Sequence, residues 1–228
     1  MSAESRAMSH TATADRYLET IYYIAAEGDT VRPSRLSTWL GVSAPTVSEA
    51  LRRLERDGWI TTSRDRSVTL TDEGSLIASA IVRRHRVLER WLTDVLGFDW
   101  AAADVEAERI AGAISDTVIA RIDASMGSPT TCPHGNPIPG RDPGHGHLTS
   151  LSELASGSVV VVRRISESAE HEGQRLLRTL AGGGVGEGTT IEVRSRTVGG
   201  DVVIAVGTQL VELSAESART IWVSPAAG

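Results

Sequence analysis

Residues Val31 to Leu70 read VRPSRLSTWLGVSAPTVSEALRRLERDGWITTSRDRSVTL, and the fold is decided here. Arg35 to Leu40 can form a short helix with Leu36, Trp39 and Leu40 on one face. Gly41 can adopt the left-handed conformation that ends a helix. Ser43 is a good N-cap for a second helix, with Pro45 in its first turn. In that helix Val47, Leu51 and Leu54 recur at i, i+4 and i+7, the spacing of a buried stripe. Thr46, Ser48, Glu49, Arg52, Arg53 and Arg56 are left on the other faces. Two short helices joined by a tight turn, the second polar and arginine-bearing, describe a helix-turn-helix. Gly58 ends the second helix. Trp59 to Ser63 and Ser67 to Leu70 then read as two strands around an Arg64-Asp65-Arg66 turn, which is a wing. The stretch points to sequence reading of DNA. The competing reading is a winged helix that mediates protein contacts.

Outward from this module, composition sets the limits. The chain has 228 residues, room for two compact domains or one with an appendage. No apolar run approaches the ~20 residues of a membrane span. Met1 to Ser9 lacks an apolar signal-peptide core, and the single cysteine, Cys132, excludes an internal disulfide framework. Together these lead to the expectation of a cytoplasmic protein. The net charge of −6 argues weakly against nucleic acid, but its distribution matters more. From Arg32 to Arg66 seven arginines face four acids, Glu49, Glu55, Asp57 and Asp65. All 23 basic residues of the chain are arginine, the residue that makes bidentate phosphate and guanine contacts.

Tyr17, Leu18, Ile21, Ile24 and Ala25 lie at helical spacing within Thr13 to Ala26, a helix expected to pack on the helix-turn-helix. After the wing, Thr71-Asp72-Glu73 opens a long helix through about Leu96. Its apolar positions include Leu76, Ile77, Ala80, Ile81, Val87, Leu88, Trp91, Leu92 and Val95. Ala101 to Met126 reads as two helices, the second capped by Ser115. Ala107, Ile110, Ala111, Ile114, Val118, Ile119 and Ile122 can form a helical interface, and a dimer through it would suit a palindromic DNA site. Gly127 to His147 is a connector with five prolines. From Leu148 the pattern turns to short strands, Ser158–Ile165, Thr189–Arg196, Val202–Val206 and Gln209–Leu213, with a helix near Ala169–Leu180 and a glycine cluster after it. This fits a small SH3-like barrel. The expected fold is therefore mainly α with small β. A winged helix-turn-helix occupies 1–74, a helical dimerisation and metal-binding domain 75–127, a connector 128–150 and an SH3-like domain 151–228. No catalytic motif stands out, and an enzyme is not expected.

His85 and Glu89 are four apart on the long helix and share a face. Asp104 and Glu108 share a face of the next. Two acids at i, i+4 repel unless something cationic neutralises them. A metal does so, and so does an arginine; Arg83, Arg84, Arg86, Arg90 and Arg109 are all near in sequence. Mostly oxygen ligands with one imidazole favour manganese or ferrous iron over thiolate-bound zinc.

The chain resembles the diphtheria-toxin-repressor family of iron- and manganese-dependent transcriptional repressors from about Thr13 onward. SAPTVSEALRRLERDG with DRSVTLTDEG, IVRRHRVLERWLTDVLG, SDTVIARIDASMG, PHGNPIPG and LAGGGVGEGTTIEV carry the likeness. The resemblance implies a homodimer on a palindromic operator, a divalent metal as cofactor (manganese or ferrous iron), and metal control of DNA binding. It makes His85 and Glu89 ligands of an ancillary metal site, with Asp104 in place of a histidine. Glu172 is supplied to that site by the SH3-like domain, and Arg175 replaces a glutamine there. It also places Ser43, Pro45, Thr46, Ser48 and Glu49 against bases and phosphates. Arg35, Arg53 and Arg66 complete the expected DNA-binding set.

The primary metal site of the family is where the chain departs. Glu108 is kept, but Ala111 and Gly112 stand where a glutamate and a histidine follow it. Arg16 stands where the first helix normally supplies a ligand. Either metal binds only around His85, or the Arg16 guanidinium substitutes for the cation beside Glu108. Glu19, one turn from Arg16, is either a spare ligand or its salt-bridge partner, and the salt bridge is the favoured reading. His134, His145 and His147 can bind metal in principle, but proline-rich connectors commonly carry idle exposed histidines. Cys132 lacks any sequence sign of a depressed thiol pKa. The alternative to a metal-responsive repressor is a winged-helix interaction scaffold. Its SH3-like tail would bind proline-rich segments, the Pro129–Pro143 connector among them.

Overall fold

The computed structural model describes residues 11–167 and 174–226. It divides into two compact units, one ending at Val82 and the other beginning at Arg83. Among the described residues no helix is long and apolar enough to cross a membrane.

The first unit is built as the local signals dictate. Helix α1 (Ala12–Ala26) is capped by the Thr11 side chain. Helix α2 (Pro33–Leu40) ends at Gly41 in the left-handed conformation, φ 63°. Helix α3 (Ala44–Arg56) begins at Ser43, whose hydroxyl accepts from the Thr46 amide. Val47, Leu51 and Leu54 are buried, as the spacing required. Strands β1 (Ile60–Thr62) and β2 (Val68–Leu70) pair antiparallel, Ile60 opposite Leu70, to make the wing. Tyr17, Leu18, Ile21 and Ile24 of α1 join Leu36, Trp39, Val47, Leu51 and Ile60 in one core.

Helix α4 (Asp72–Asp94) belongs to both units. Its buried positions in the first unit are Gly74, Ala78 and Val82, while Leu76, one of the apolar positions named from the sequence, is 73% exposed. Ile77 and Ile81, also named from the sequence, are partly buried and pack against the same core.

In the second unit α4 is the hub. Helices α5 (Trp100–Ala111) and α6 (Asp116–Ser125), capped by Asp99 and Ser115, pack with it around Val87, Leu88, Leu92, Ala103, Ala107, Ile119 and Ile138. Ile110, Ala111, Ile114 and Ile122 lean on that core, while Val118 stays exposed. A six-stranded antiparallel sheet follows, with β3 (Thr149–Ser150), β4 (Val159–Ile165), β5 (Thr190–Arg196), β6 (Val202–Val206), β7 (Gln209–Leu213) and β8 (Ile221–Pro225) in the order β3-β8-β4-β5-β6-β7. Helix α7 (Gln174–Gly182) precedes β5, and helix α8 (Ala215–Arg219) leads into β8. The strand pattern in the sequence ended at Leu213; β8 completes the sheet through its pairing with β4.

Candidate DNA-reading surface and metal centre

On the first unit, the outer face of α3 is polar and open. Ser43, Pro45, Thr46, Glu49, Arg52 and Arg53 are exposed, and Ser48 is half-buried. Glu49 holds Arg52 at 3.4 Å and Arg53 at 3.0 Å. Arg35 lies 3.4 Å from Asp29, with its guanidinium 5.7 Å from the Trp39 ring centroid. At the wing tip Arg66 adopts φ 66°. The Asp65 carboxyl is held below the usual carboxylate range by hydrogen bonds from the Ser63 and Ser67 hydroxyls and the Ser67 amide. Arg32 donates to the Asp65 carbonyl at 3.0 Å. This turn chemistry fixes the wing with Arg64 and Arg66 outward. Arg16 is exposed on α1, and Glu19 accepts from the Tyr23 hydroxyl at 2.8 Å.

On the second unit, the charged residues of the RRHRVLER run in α4 reach several different elements. Arg83 pairs with Asp123 of α6 at 2.6 Å, and Arg84 with Asp116. His85 Nε2 lies 3.2 Å from Asp104 Oδ1 of α5. Arg86 donates to Glu167 beyond β4, Nε to Oε1 at 3.1 Å, with both side chains buried. Arg90 reaches Glu187 of the glycine-rich loop at 3.3 Å. Glu89, also buried, faces the connector: its Oε1 is 2.7 Å from His134 Nδ1.

The connector is shaped to make that meeting. Thr131 bridges Pro137, and the Cys132 amide donates to the Asn136 carbonyl at 2.9 Å. The Gly135 amide closes back on the Cys132 carbonyl at 3.0 Å. Pro133 fits the second position of such a turn, and Gly135 supplies the left-handed residue at φ 79° that a bulged hairpin needs. A side chain at Gly135 would meet the Arg163 carbonyl at 1.9 Å, so only glycine lets the turn lie against β4. The Ile165 amide donates to the His134 carbonyl at 2.8 Å, and the Asn136 amide group donates to the Ile165 carbonyl at 2.9 Å. Two residues apart in the turn, Cys132 and His134 both face Glu89.

Glu89, Cys132 and His134 offer a carboxylate oxygen, a sulfur and an imidazole nitrogen, all within 4.8 Å of one another and all buried. This is the one group of three metal-capable side chains found among the described residues. A tetrahedral ion holds neighbouring donors roughly 3.5 Å apart, so small adjustments fit a divalent ion to this set. Burial, and after it the Glu89 charge, push the Cys132 thiol up to about 12. Burial would lower the His134 pKa, but the Glu89 charge and the hydrogen bonds His134 makes with Cys132 and to the Glu89 carboxylate overcome it and hold it well above the ordinary value. Without an ion, burial and the Glu89 charge hold the proton on the Cys132 sulfur, and the Glu89 charge favours the protonated form of His134. The Trp100 ring meets His134 edge-on, centroids 5.5 Å apart.

The expected ligands thus divide. His85 and Asp104 come together as a pair, and Glu89 turns to the connector. Glu108 is exposed on α5. Glu172 and the Arg175 side chain lie outside the described residues. Cys132 and His134 complete the cluster that sequence reading did not assemble; the Cys-x-His spacing was its only local trace. His145 approaches Glu187 at 3.4 Å, and His147 is exposed.

An open, arginine-bearing reading helix with a wing in one unit, and a buried thiol–imidazole–carboxylate centre in the other, define a metal-responsive DNA-binding regulator. Residues 9–68 match the family model described as the iron dependent repressor N-terminal DNA binding domain. Residues 71–140 match its metal binding and dimerisation domain, and residues 149–225 match the FeoA domain. The iron-dependent repressor IdeR of Mycobacterium tuberculosis (strain ATCC 25618 / H37Rv) is 36% identical over 92% of this chain and 96% of its own length. The diphtheria toxin repressor of Corynebacterium efficiens is 34% identical over 95% of this chain and 96% of its own. A solved manganese-dependent transcriptional repressor in complex with manganese is 35% identical. It superposes with a TM-score of 0.79, covering 93% of this chain and all of that one. The chain belongs to the iron-dependent repressor family, that of the diphtheria toxin repressor.

Proposed function

We infer that the protein is a divalent-metal-responsive transcriptional repressor that acts in the cytoplasm as a homodimer on a palindromic operator. Family membership supports this reading over the interaction scaffold. The observation that carries metal control is the buried Glu89–Cys132–His134 cluster. Helix α4 supplies Glu89 to it, and the same helix runs on from the wing. Bound there, a divalent ion of the manganese or ferrous class would supply fixed positive charge in place of the imidazolium proton. The thiol tilts the donor set toward ferrous iron, since sulfur ligands favour softer ions. The protein's own residues supply the rest. Glu89 orients the imidazole through Nδ1, the C-terminal end of β4 fixes the turn, and Trp100 covers the histidine. His85 and Asp104 form a neighbouring pair that can serve as an auxiliary site with Glu108 or Glu172. On the DNA side, Ser43, Pro45, Thr46, Ser48 and Glu49 enter the major groove, with Arg35, Arg53 and Arg66 on phosphates. Arg16 stands at a ligand position of the family's other site and is the residue to replace if binding persists without metal.

The test uses full-length protein after exhaustive chelation, and a duplex selected from a random pool. Binding is measured with chelator and then with added manganese, ferrous iron or zinc. The reading expects tight binding only with metal, and loss of the response in Cys132→Ser and His134→Ala. Equal affinity in chelator would overturn metal control.

A further inference from the structure

We propose that Glu49 is the specificity-determining residue of the reading helix and selects a cytosine in each half-site. The proposal deepens the reading of α3 as a DNA-binding helix and rests on it. An acidic side chain on a surface that meets phosphates weakens binding to every sequence; its presence there asks for a reason. A helix reads the major groove with the residues of its first turns. In α3 those are Ser43, Ala44, Pro45, Thr46, Ser48 and Glu49. The hydroxyls are on short side chains and each makes a local bond: Ser43 and Thr46 bond one another at 2.8 Å, and Ser48 donates to the Ala44 carbonyl at 2.9 Å. Ala44 and Pro45 offer only apolar contact. Glu49 is thus the one side chain of the first two turns with both the reach and the polarity to address a base edge.

Its geometry suits that task. Arg53 donates Nε to Oε1 at 3.0 Å, and Arg52 lies 3.4 Å from Oε2. Both arginines stand one turn further along, and the glutamate side chain is half exposed. The two guanidinium groups hold the carboxylate and offset its charge; Oε1 faces both Nε and Nη2 of Arg53, while Oε2 keeps a lone pair for another donor. An ionised carboxylate only accepts, and the major groove offers donors only at cytosine N4 and adenine N6. Adenine N6 has an acceptor on each side, its own N7 and the paired thymine O4, which repel a carboxylate; cytosine N4 has one only on the guanine side and a C–H on the other. The chemistry therefore selects cytosine.

The experiment is duplex selection from a randomised pool by the full-length protein with manganese. Wild type, Glu49→Gln and Glu49→Ala are each tested, followed by titration on the selected duplex with each base at the enriched position. Wild type should prefer cytosine about tenfold over the other bases. Glu49→Gln, which can pair with adenine N6 and N7, should move the preference to adenine. Glu49→Ala should level the four bases there and leave the other positions unchanged. Identical base preferences in all three proteins would overturn the proposal and leave Glu49 as a helix salt-bridge partner. A wild-type protein that enriches no sequence would overturn the DNA-reading assignment itself, and Glu49 with it.

Discussion

The acids and arginines of α3 and those of α4 are the same chemical groups in opposite surroundings. On α3, Glu49, Arg52 and Arg53 are between half and nearly three-quarters exposed. On α4, Arg86 and Glu89 are 4% and 3% exposed, and their partners, Glu167 beyond β4 and His134 in the connector, are 6% and 0%. Water screens the first set, so its pairs add little to stability and remain free to exchange partners for phosphates and bases. Burial makes the second set costly to break. Its groups have given up hydration, and any one left alone is an uncompensated charge. The contrast teaches that the first unit keeps its charge for an outside ligand. The second unit uses charge to fix how helix, connector and sheet meet.

The largest expected difference is in thiol reactivity. With its pKa pushed up to about 12, Cys132 at pH 8 is a thiolate in only about one molecule in ten thousand. An unburied cysteine at the same pH is about a quarter thiolate. Metal-free folded protein should therefore react with an aromatic disulfide reagent at least about a thousandfold more slowly than the urea-unfolded chain. A rate within tenfold of the unfolded chain would mean that the connector opens readily and that the buried centre is not persistent.

Next comes stability. Arg86→Ala leaves Glu167 buried without its guanidinium and should cost about 3–5 kcal/mol in urea unfolding followed by circular dichroism. Replacing both partners by Arg86→Met with Glu167→Leu should recover most of that loss, because an apolar pair of similar volume carries no desolvation cost. A loss below about 1 kcal/mol for Arg86→Ala would erase the contrast between the two helices.

Smallest in stability are Arg52→Ala and Arg53→Ala, each expected within about 0.5 kcal/mol of wild type in the same assay. Arg53→Ala should nonetheless weaken DNA binding on all sequences and lower the slope of log affinity against log salt by about one. A stability loss comparable to that of Arg86→Ala would place α3's charges in the structural class.

The reading helix was legible because its signals are local. Ser43, Pro45 and Gly41 act on the residues beside them, and Val47, Leu51 and Leu54 sit on one face of any α-helix. The charged run of α4 was legible as chemistry but not as pairing. His85 with Asp104 could be guessed from two i, i+4 faces, yet Glu89 took its partner from a loop some 45 positions later. Leu76 is 73% exposed while Ala78 of the same helix is fully buried, because the packing partner, not the hydrophobicity of the residue, decides which face of the helix turns inward. Strand β8 was missed because its place depends on β4, more than 50 residues earlier.

By itself, the sequence determined the helix-turn-helix with its wing, the charged hub helix, the strand-rich tail and the family. Caps, turns and periodic faces are short-range physics written in neighbouring residues. Only the tertiary structure decided that Cys132 and His134 are buried and that both meet Glu89. Burial and charge pairing are settled by which distant surfaces pack together. Here that is the Cys132–Asn136 turn against β4, where Gly135 leaves room for nothing larger.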